Sequence, residues 1–252
     1  MKPCTIITGG ASGIGFAAAR HLATLGHNLI LVDRSADALD KAVQELQGLS
    51  SVVGCPGSVT DERIVLETID RALAEYGKID NLITSAGMVQ VKPAFEVTPQ
   101  EFRDHLEVNV TGSWLYAQAC GREMAKNKRG CIVMIGSVYG TGGAPQRTGY
   151  CASKGAVHNM VRSLAVEWGP IGVRVNAVAP TGVRTPMVQD LIDRGLYKLK
   201  AVQARTPLGR LAEAEEVADA IGFLVSEHAK MIAGHILPID GGWLANGYVI
   251  SD

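Results

Sequence analysis

The stretch Thr5-Ile6-Ile7-Thr8-Gly9-Gly10-Ala11-Ser12-Gly13-Ile14-Gly15 decides the fold. Its β-branched opening, Thr5–Thr8, reads as a strand. The glycines after it form a sharp turn into a helix that begins near Ile14. Glycine permits that turn and lets a backbone approach a pyrophosphate, whose charge then rests on the helix N-terminus. Gly9, Ser12 and Gly13 are therefore candidate phosphate contacts. The spacing is Gly-x-x-x-Gly-x-Gly, with no Gly-Lys-Ser/Thr ending, so a loop that grips a triphosphate is disfavoured.

Working outward, the strand-turn-helix pattern recurs. Further strands are expected at Leu29–Asp33, Val52–Cys55, Asn81–Ser85, Cys131–Ser137, Arg174–Ala179 and His235–Ile239. Most are continuous apolar runs, as strands covered on both faces should be. Between them, Ser35–Leu49 spaces Leu39, Val43 and Leu46 helically, and Leu66, Ile69 and Leu73 mark the next helix. The alternation implies a doubly wound α/β fold: about seven parallel strands with helices on both faces, in one domain spanning 1–252. In such a sheet the ligand lies beyond the carboxyl ends of the strands, where their order reverses.

Composition narrows the function. The chain has 252 residues, 47% hydrophobic and 19% charged, which excludes disordered and collagen-like classes. Its net charge of −1 gives no general pull toward nucleic acid or an anionic membrane. No apolar run is long enough to span a bilayer, and the apolar stretch at the N-terminus is too short for a signal peptide. The five cysteines show no C-x-x-C spacing and the histidines no ligand spacing, so no disulfide framework and no metal site are expected. The expected setting is reduced and cytoplasmic, with the histidines structural or on the surface.

Asp33 ends the second strand, where a carboxylate would accept both hydroxyls of an adenosine ribose and repel a 2′-phosphate. Arg34 beside it would favour that phosphate, but the glycine loop carries no Lys or Arg to help. NAD is therefore expected over NADP. Further on, Tyr150-Cys151-Ala152-Ser153-Lys154 puts a phenol and an ammonium on one helix face. The lysine would favour the phenolate, bringing a pKa near 10 toward the working pH. A tyrosine so tuned can take the proton of a secondary alcohol as hydride leaves the carbon. Ser137, read as a strand end, would hydrogen-bond the same substrate oxygen.

These pieces resemble the short-chain dehydrogenase/reductase family, in its one-domain Rossmann-type form. The match is TGGASGIG at 8–15, Asp33, TSAG at 84–87, VNVTG with Asn109, Ser137, YCASK at 150–154, RVNAVAP at 174–180 and PIDGGW at 238–243. The resemblance implies Tyr150 as acid/base, Lys154 on the ribose, Ser137 orienting the substrate oxygen, and Asn109 seating a water that links Lys154 to solvent. It implies Ile14 and Gly15 at the pyrophosphate, and Ala86 and Gly87 along the middle of the cofactor. Val183 and Thr185 would hold the carboxamide, and Ser58 and Val59 would lie by the adenine. A cover over the substrate is expected across about 185–207.

Three departures stand out. Thr84-Ser85 replaces the usual Asn-Asn, so the hydrogen bonds of the first Asn to neighbouring strands must be made otherwise. Ser58 replaces an Asp. Pro180-Thr181 replaces Pro-Gly, which would strain Thr181 if φ is positive there.

Gln90, Tyr139, Gly142, Gly143, Gln146 and Arg147 suit a hydroxylated substrate, with Gln146 joining Ser137 and Tyr150 as substrate contacts. Met187 and Tyr197 read equally well as substrate contacts and as packing. The helix Cys151–Trp168 is apolar on more than one side, and the tail Trp243–Asp252 is apolar-rich, so a partner subunit is expected. The resemblance implies pairing of this helix across a two-fold axis in a tetramer or dimer, and of the two a homotetramer is expected. The functional expectation is an NAD-dependent oxidoreductase interconverting a small-molecule secondary alcohol, polyol or sugar-derived, and its ketone. The alternatives are an NADPH-dependent 3-oxoacyl-carrier-protein reductase, which Asp33 opposes, and an inactive dinucleotide-sensing protein, which the complete Asn109, Ser137, Tyr150, Lys154 set opposes.

Overall fold

The computed structural model describes residues 2–247. In chain order its elements are β1 (Cys4–Thr8), α1 (Gly13–Thr24), β2 (Asn28–Asp33), α2 (Ala36–Leu46), β3 (Val52–Pro56), α3 (Glu62–Tyr76) and β4 (Asn81–Thr84). Then follow α4 (Pro99–Leu106), a π-helical turn (Glu107–Thr111), α5 (Gly112–Lys126), β5 (Gly130–Ile135) and α6 (Thr148–Trp168). The last part holds β6 (Val173–Pro180), β7 (Val183–Arg184), α7 (Pro186–Asp193), α8 (Leu199–Arg205), β8 (Ala212–Glu213), α9 (Ala214–Val225) and β9 (Ile236–Ile239).

Seven strands form one parallel sheet in the order β3-β2-β1-β4-β5-β6-β9. The order reverses between β1 and β4, and the cleft described below opens there. Alternate side chains of each strand face opposite cores. Ile6, Ile30, Leu82, Ile132 and Val175 pack with α3, α5 and α6. Ile7, Leu31, Ile83, Val133 and Val178 pack with α1, α2 and α9. Burial on both faces is why these strands read as continuous apolar runs.

Several expectations are corrected. β5 stops at Ile135, so Ser137 does not end a strand; it caps the short 3₁₀ turn Val138–Gly140. On α3 the buried stripe is Ile64, Val65, Thr68, Ile69 and Ala72, while Leu66 is 61% exposed. The paired strands β7 and β8, two residues each, carry no hydrophobic period and were not expected. Positive φ outside glycine occurs, among the described residues, at Lys128 and Gln146 only, so Thr181 carries no such strain. No helix among the described residues is long and apolar enough to cross a membrane. In the apolar tail, Trp243 is buried, and residues 248–252 lie outside the described residues.

The departure at Thr84 has a structural result. Among the described residues its buried hydroxyl has no hydrogen-bond partner, so Thr84 does not itself make the interstrand bonds expected of an Asn there. A buried hydroxyl without a partner costs its desolvation. Thr84→Val keeps the shape and removes that cost. It should raise the stability measured by urea denaturation by about 1 kcal/mol; a variant less stable than the parent would show that the hydroxyl is satisfied.

Candidate active site

The β1–α1 turn is packed against the end of β4. Gly9 has φ +65°, and a Cβ there would lie 2.7 Å from the Ala86 amide nitrogen. A Cβ at Gly15 would lie 2.1 Å from the Gly9 carbonyl oxygen, so α1 can start this close to the strand only with glycine at both places. Ser12 is the N-cap of α1, yet its side chain makes no capping bond.

A cleft of about 440 Å³ runs over this turn, across the carboxyl ends of the strands. Of the residues expected around a cofactor, Gly9, Ser12, Gly13, Ile14, Asp33, Arg34, Ser58, Val59, Ala86, Gly87, Tyr150, Lys154 and Thr185 line it. Gly15 and Val183 do not: Gly15 is taken up by the turn, and Val183 is packed in the core beside β8. Asn109, Ser137 and Gln146 are not among the residues that line it, although Ser137 hydrogen-bonds Tyr150, which is. Gln146 is exposed and left-handed, and its carbonyl accepts from the Lys92 amide at 2.8 Å. Gly57, Ser85, Met88, Val108, Ile135, Pro186 and Met187 complete the lining. All but Met187 and Ser85, which lies in the TSAG stretch, went unread, because a wall made by apolar side chains and backbone has no sequence signature.

At one end the Asp33 carboxylate accepts from the Ala11 amide at 3.2 Å and the Ser35 amide at 3.1 Å. The glycine turn thereby fixes the acid at the end of β2. Ser58 is committed locally, its Oγ 2.8 Å from Thr60 Oγ1.

At the other end stand Tyr150 and Lys154, on one face of α6. The Lys154 ammonium donates to the Ile135 carbonyl at 2.6 Å and lies 5.8 Å from the centre of the Tyr150 ring. Burial pulls its pKa down to about 8. Burial also pushes the Tyr150 phenol above its ordinary value, against a hydrogen bond with Ser137 and the charge of Arg147. The expectation that Lys154 brings the phenol down toward working pH is therefore not met in this geometry. Desolvation outweighs the nearby charges, and the ammonium is turned to the Ile135 carbonyl.

Asn109 lies in the π-helical turn. Its Oδ1 accepts from the Met88 amide at 2.8 Å, and its Nδ2 donates to the Met88 carbonyl at 3.0 Å and to Ser153 Oγ at 2.9 Å. Ser153 in turn donates to the Tyr150 carbonyl at 2.7 Å. The side chain thus ties the chain after β4 to α6. Gly87 borders both groups: a Cβ there would lie 3.3 Å from Asn109 Oδ1 and 3.9 Å from Lys154 Nζ.

Around the Tyr150 end, Tyr139 meets Trp243 edge-on at 5.6 Å between ring centres, and the Arg205 guanidinium lies 3.9 Å over the Trp243 ring. The Tyr197 hydroxyl packs against Gly182, and burial pushes its pKa up to about 12. Arg147 reaches the Leu196 carbonyl at 3.5 Å, joining the start of α6 to the segment between α7 and α8.

A lysine held below its ordinary 10.5 makes stability depend on pH. The unfolded chain binds this proton up to about pH 10.5 and the folded chain only up to about 8. Stability therefore rises with pH across that window, and the full penalty applies below it. Lys154→Met should be more stable than the parent at pH 7 by about 1–3 kcal/mol in urea denaturation. It should also lose part of the rise between pH 8 and 10. A less stable Met variant would contradict the burial cost.

Comparison with known proteins places this geometry. The family model described as enoyl-(acyl carrier protein) reductase matches residues 9–244. Galactitol 2-dehydrogenase (L-tagatose-forming) of Cereibacter sphaeroides is 40% identical over 95% of this chain and 94% of its own. Cis-4-hydroxycyclohexanecarboxylate dehydrogenase of Sinomonas cyclohexanicum is 39% identical over 95% of this chain and 96% of its own. The solved structure of ElxO with NADP bound superposes with a TM-score of 0.89 at 30% identity, covering 97% of this chain and 100% of that one.

Proposed function

From the premise that the chain belongs to the short-chain dehydrogenase/reductase family, we propose that it oxidises a polyol or sugar-derived secondary alcohol with NAD, and runs the reverse reduction, using Tyr150 as acid/base. That it is an oxidoreductase of CH–OH groups using a nicotinamide dinucleotide follows from the family; substrate, cofactor preference and residue roles are this reading. One observation carries it: a single cleft has Asp33 at one end and Tyr150 with Lys154 at the other.

The residues present fit a dinucleotide. Among the described residues the Lys154 ammonium has three protons and one protein acceptor, leaving donors free for ribose hydroxyls. The first amides of α1 receive nothing from the Ser12 side chain and suit a pyrophosphate. Asp33, Ser58 and Val59 would hold the adenosine end, and Thr185 the carboxamide end. When bound, the nicotinamide supplies the hydride chemistry at the carbinol carbon. Tyr150 removes the alcohol proton, and Ser137 holds the same oxygen. Asn109 acts here through Ser153 and Met88, by holding α6 and the chain after β4 together. Asp33 lines the end that would take the adenosine ribose, which supports NAD, although Arg34 lines the same end.

Galactitol 2-dehydrogenase among the relatives supports a polyol substrate, as do the polar groups near Tyr150. Residues 185–207 would cover the substrate, with the Arg147–Leu196 bond as one tether. Val166 on α6 is 80% exposed, and pairing of α6 with a second copy in a homotetramer belongs to the same reading.

The test is reduction of NAD and of NADP by the purified chain across a panel of polyols and cyclic alcohols. Tyr150→Phe should lower turnover on the order of 10²–10⁴-fold while NAD still binds. Asp33→Ala should narrow the preference for NAD over NADP. Near-normal turnover in the first variant, or unchanged selectivity in the second, would reject the respective role.

A further inference from the structure

We propose that His158 is a positioning residue for this reaction, setting Ser137 against Tyr150 by gripping the turn that carries the serine; the inference rests on the roles just given to those two residues. α6 carries Tyr150, Lys154 and His158 at four-residue intervals, so all three lie on one face of the helix. The first two line the cleft, and the third is 2% exposed. His158 Nε2 accepts a hydrogen bond from the Ser137 backbone amide at 3.4 Å. That bond puts the ring proton on Nδ1, which lies 3.5 Å from Thr141 Oγ1. One imidazole therefore holds both ends of the turn 137–141.

The fit on both sides of the ring is close. A Cβ at Gly136 would lie 2.5 Å from Nε2, and a Cβ at Gly140 would lie 2.5 Å from Cε1. The two glycines that bracket the turn make the space the ring fills. Burial and the charges of Arg162 and Lys154 hold the ring's pKa down to about 4, so it remains a neutral acceptor at ordinary pH. A backbone bond to Ser137 fixes the direction of its Cα–Cβ bond, and with it the side chain that hydrogen-bonds Tyr150. Tyr150 and the support of its partner thus ride on one rigid helix, two turns apart. Misplacing a reacting group by an ångström costs on the order of 10²-fold in rate, so a device that fixes this distance bears on kcat.

The experiment is steady-state kinetics of the full chain with NAD and the alcohol it oxidises fastest. The variants are His158→Gln, His158→Asn, Ser137→Ala and Ser137→Ala with His158→Asn. Glutamine carries its oxygen about as far as Nε2, whereas asparagine stops short of the amide. His158→Asn should lower kcat roughly 10–100-fold with KM for NAD within about twofold. His158→Gln should restore kcat to within about fivefold, and in the Ser137→Ala background His158→Asn should cost no more than about twofold. If His158→Asn does not fold, Gly136→Ala, whose Cβ would meet Nε2 at 2.5 Å, displaces the ring from the Ser137 amide and should show the same loss of kcat at constant KM for NAD.

Equal losses in the Asn and Gln variants, an undiminished loss in the Ser137→Ala background, or a normal kcat in both His158→Asn and Gly136→Ala would overturn the proposal. Each of those results comes from an active parent enzyme and leaves the proposed function standing. A parent that oxidises no alcohol with either cofactor would instead remove the proposed function, and this inference with it.

Discussion

A lysine ammonium, 6% exposed and bonded to one main-chain oxygen, is the constraint around which the site is built. Taking a charge out of water is costly, and the single bond to Ile135 offsets only part of that cost. The charge stays at the carboxyl end of β5, where α6, packed against the neighbouring β6, holds it beside the Ile135 carbonyl. Its remaining protons open toward the cleft, beside Tyr150 and Gly87. A fold selected for stability alone would put an apolar side chain there. Under the proposed function, a polar ligand completes this lysine's hydrogen bonds.

The supports of that charge are arranged in a ring. The glycine turn presses on the end of β4 and carries the amide that fixes Asp33. Asn109 bonds the chain just after β4 and, through Ser153, the first turn of α6. His158 bonds the turn after β5 from the same helix. Three connections at the carboxyl ends of β1, β4 and β5 are thus tied to α6 or to one another. The cleft between them owes its width to backbone contacts as well as side chains.

Much of this was legible in the sequence, for physical reasons. Strands buried on two faces are apolar throughout, so all seven showed, within a residue or two at most ends. The glycine turn showed because only glycine permits its close approach, and Tyr150 and Lys154 showed because helical spacing fixes which residues share a face. What stayed hidden depends on distant contacts. The exposure of Leu66 depends on which stripe of α3 meets the sheet. The orphaned hydroxyl of Thr84 depends on what neighbouring strands offer it. His158 looked like any histidine until the folded chain set it between Gly136 and Gly140. The direction of the Tyr150 shift was misjudged for a related reason, since helical spacing gives a neighbour's position and not the burial that opposes it.

The central claim is that this cleft holds a nicotinamide dinucleotide and an alcohol so that Tyr150 takes the proton while the carbinol hydrogen goes to the cofactor. Its most direct test is oxidation of an alcohol deuterated at the carbinol carbon, with mass analysis of the reduced cofactor recovered. The account predicts one deuterium per reduced cofactor, none in the water, and no labelled product from Tyr150→Phe beyond a trace. Deuterium released to water, or a Tyr150→Phe enzyme that labels the cofactor as fast as the parent, would contradict it.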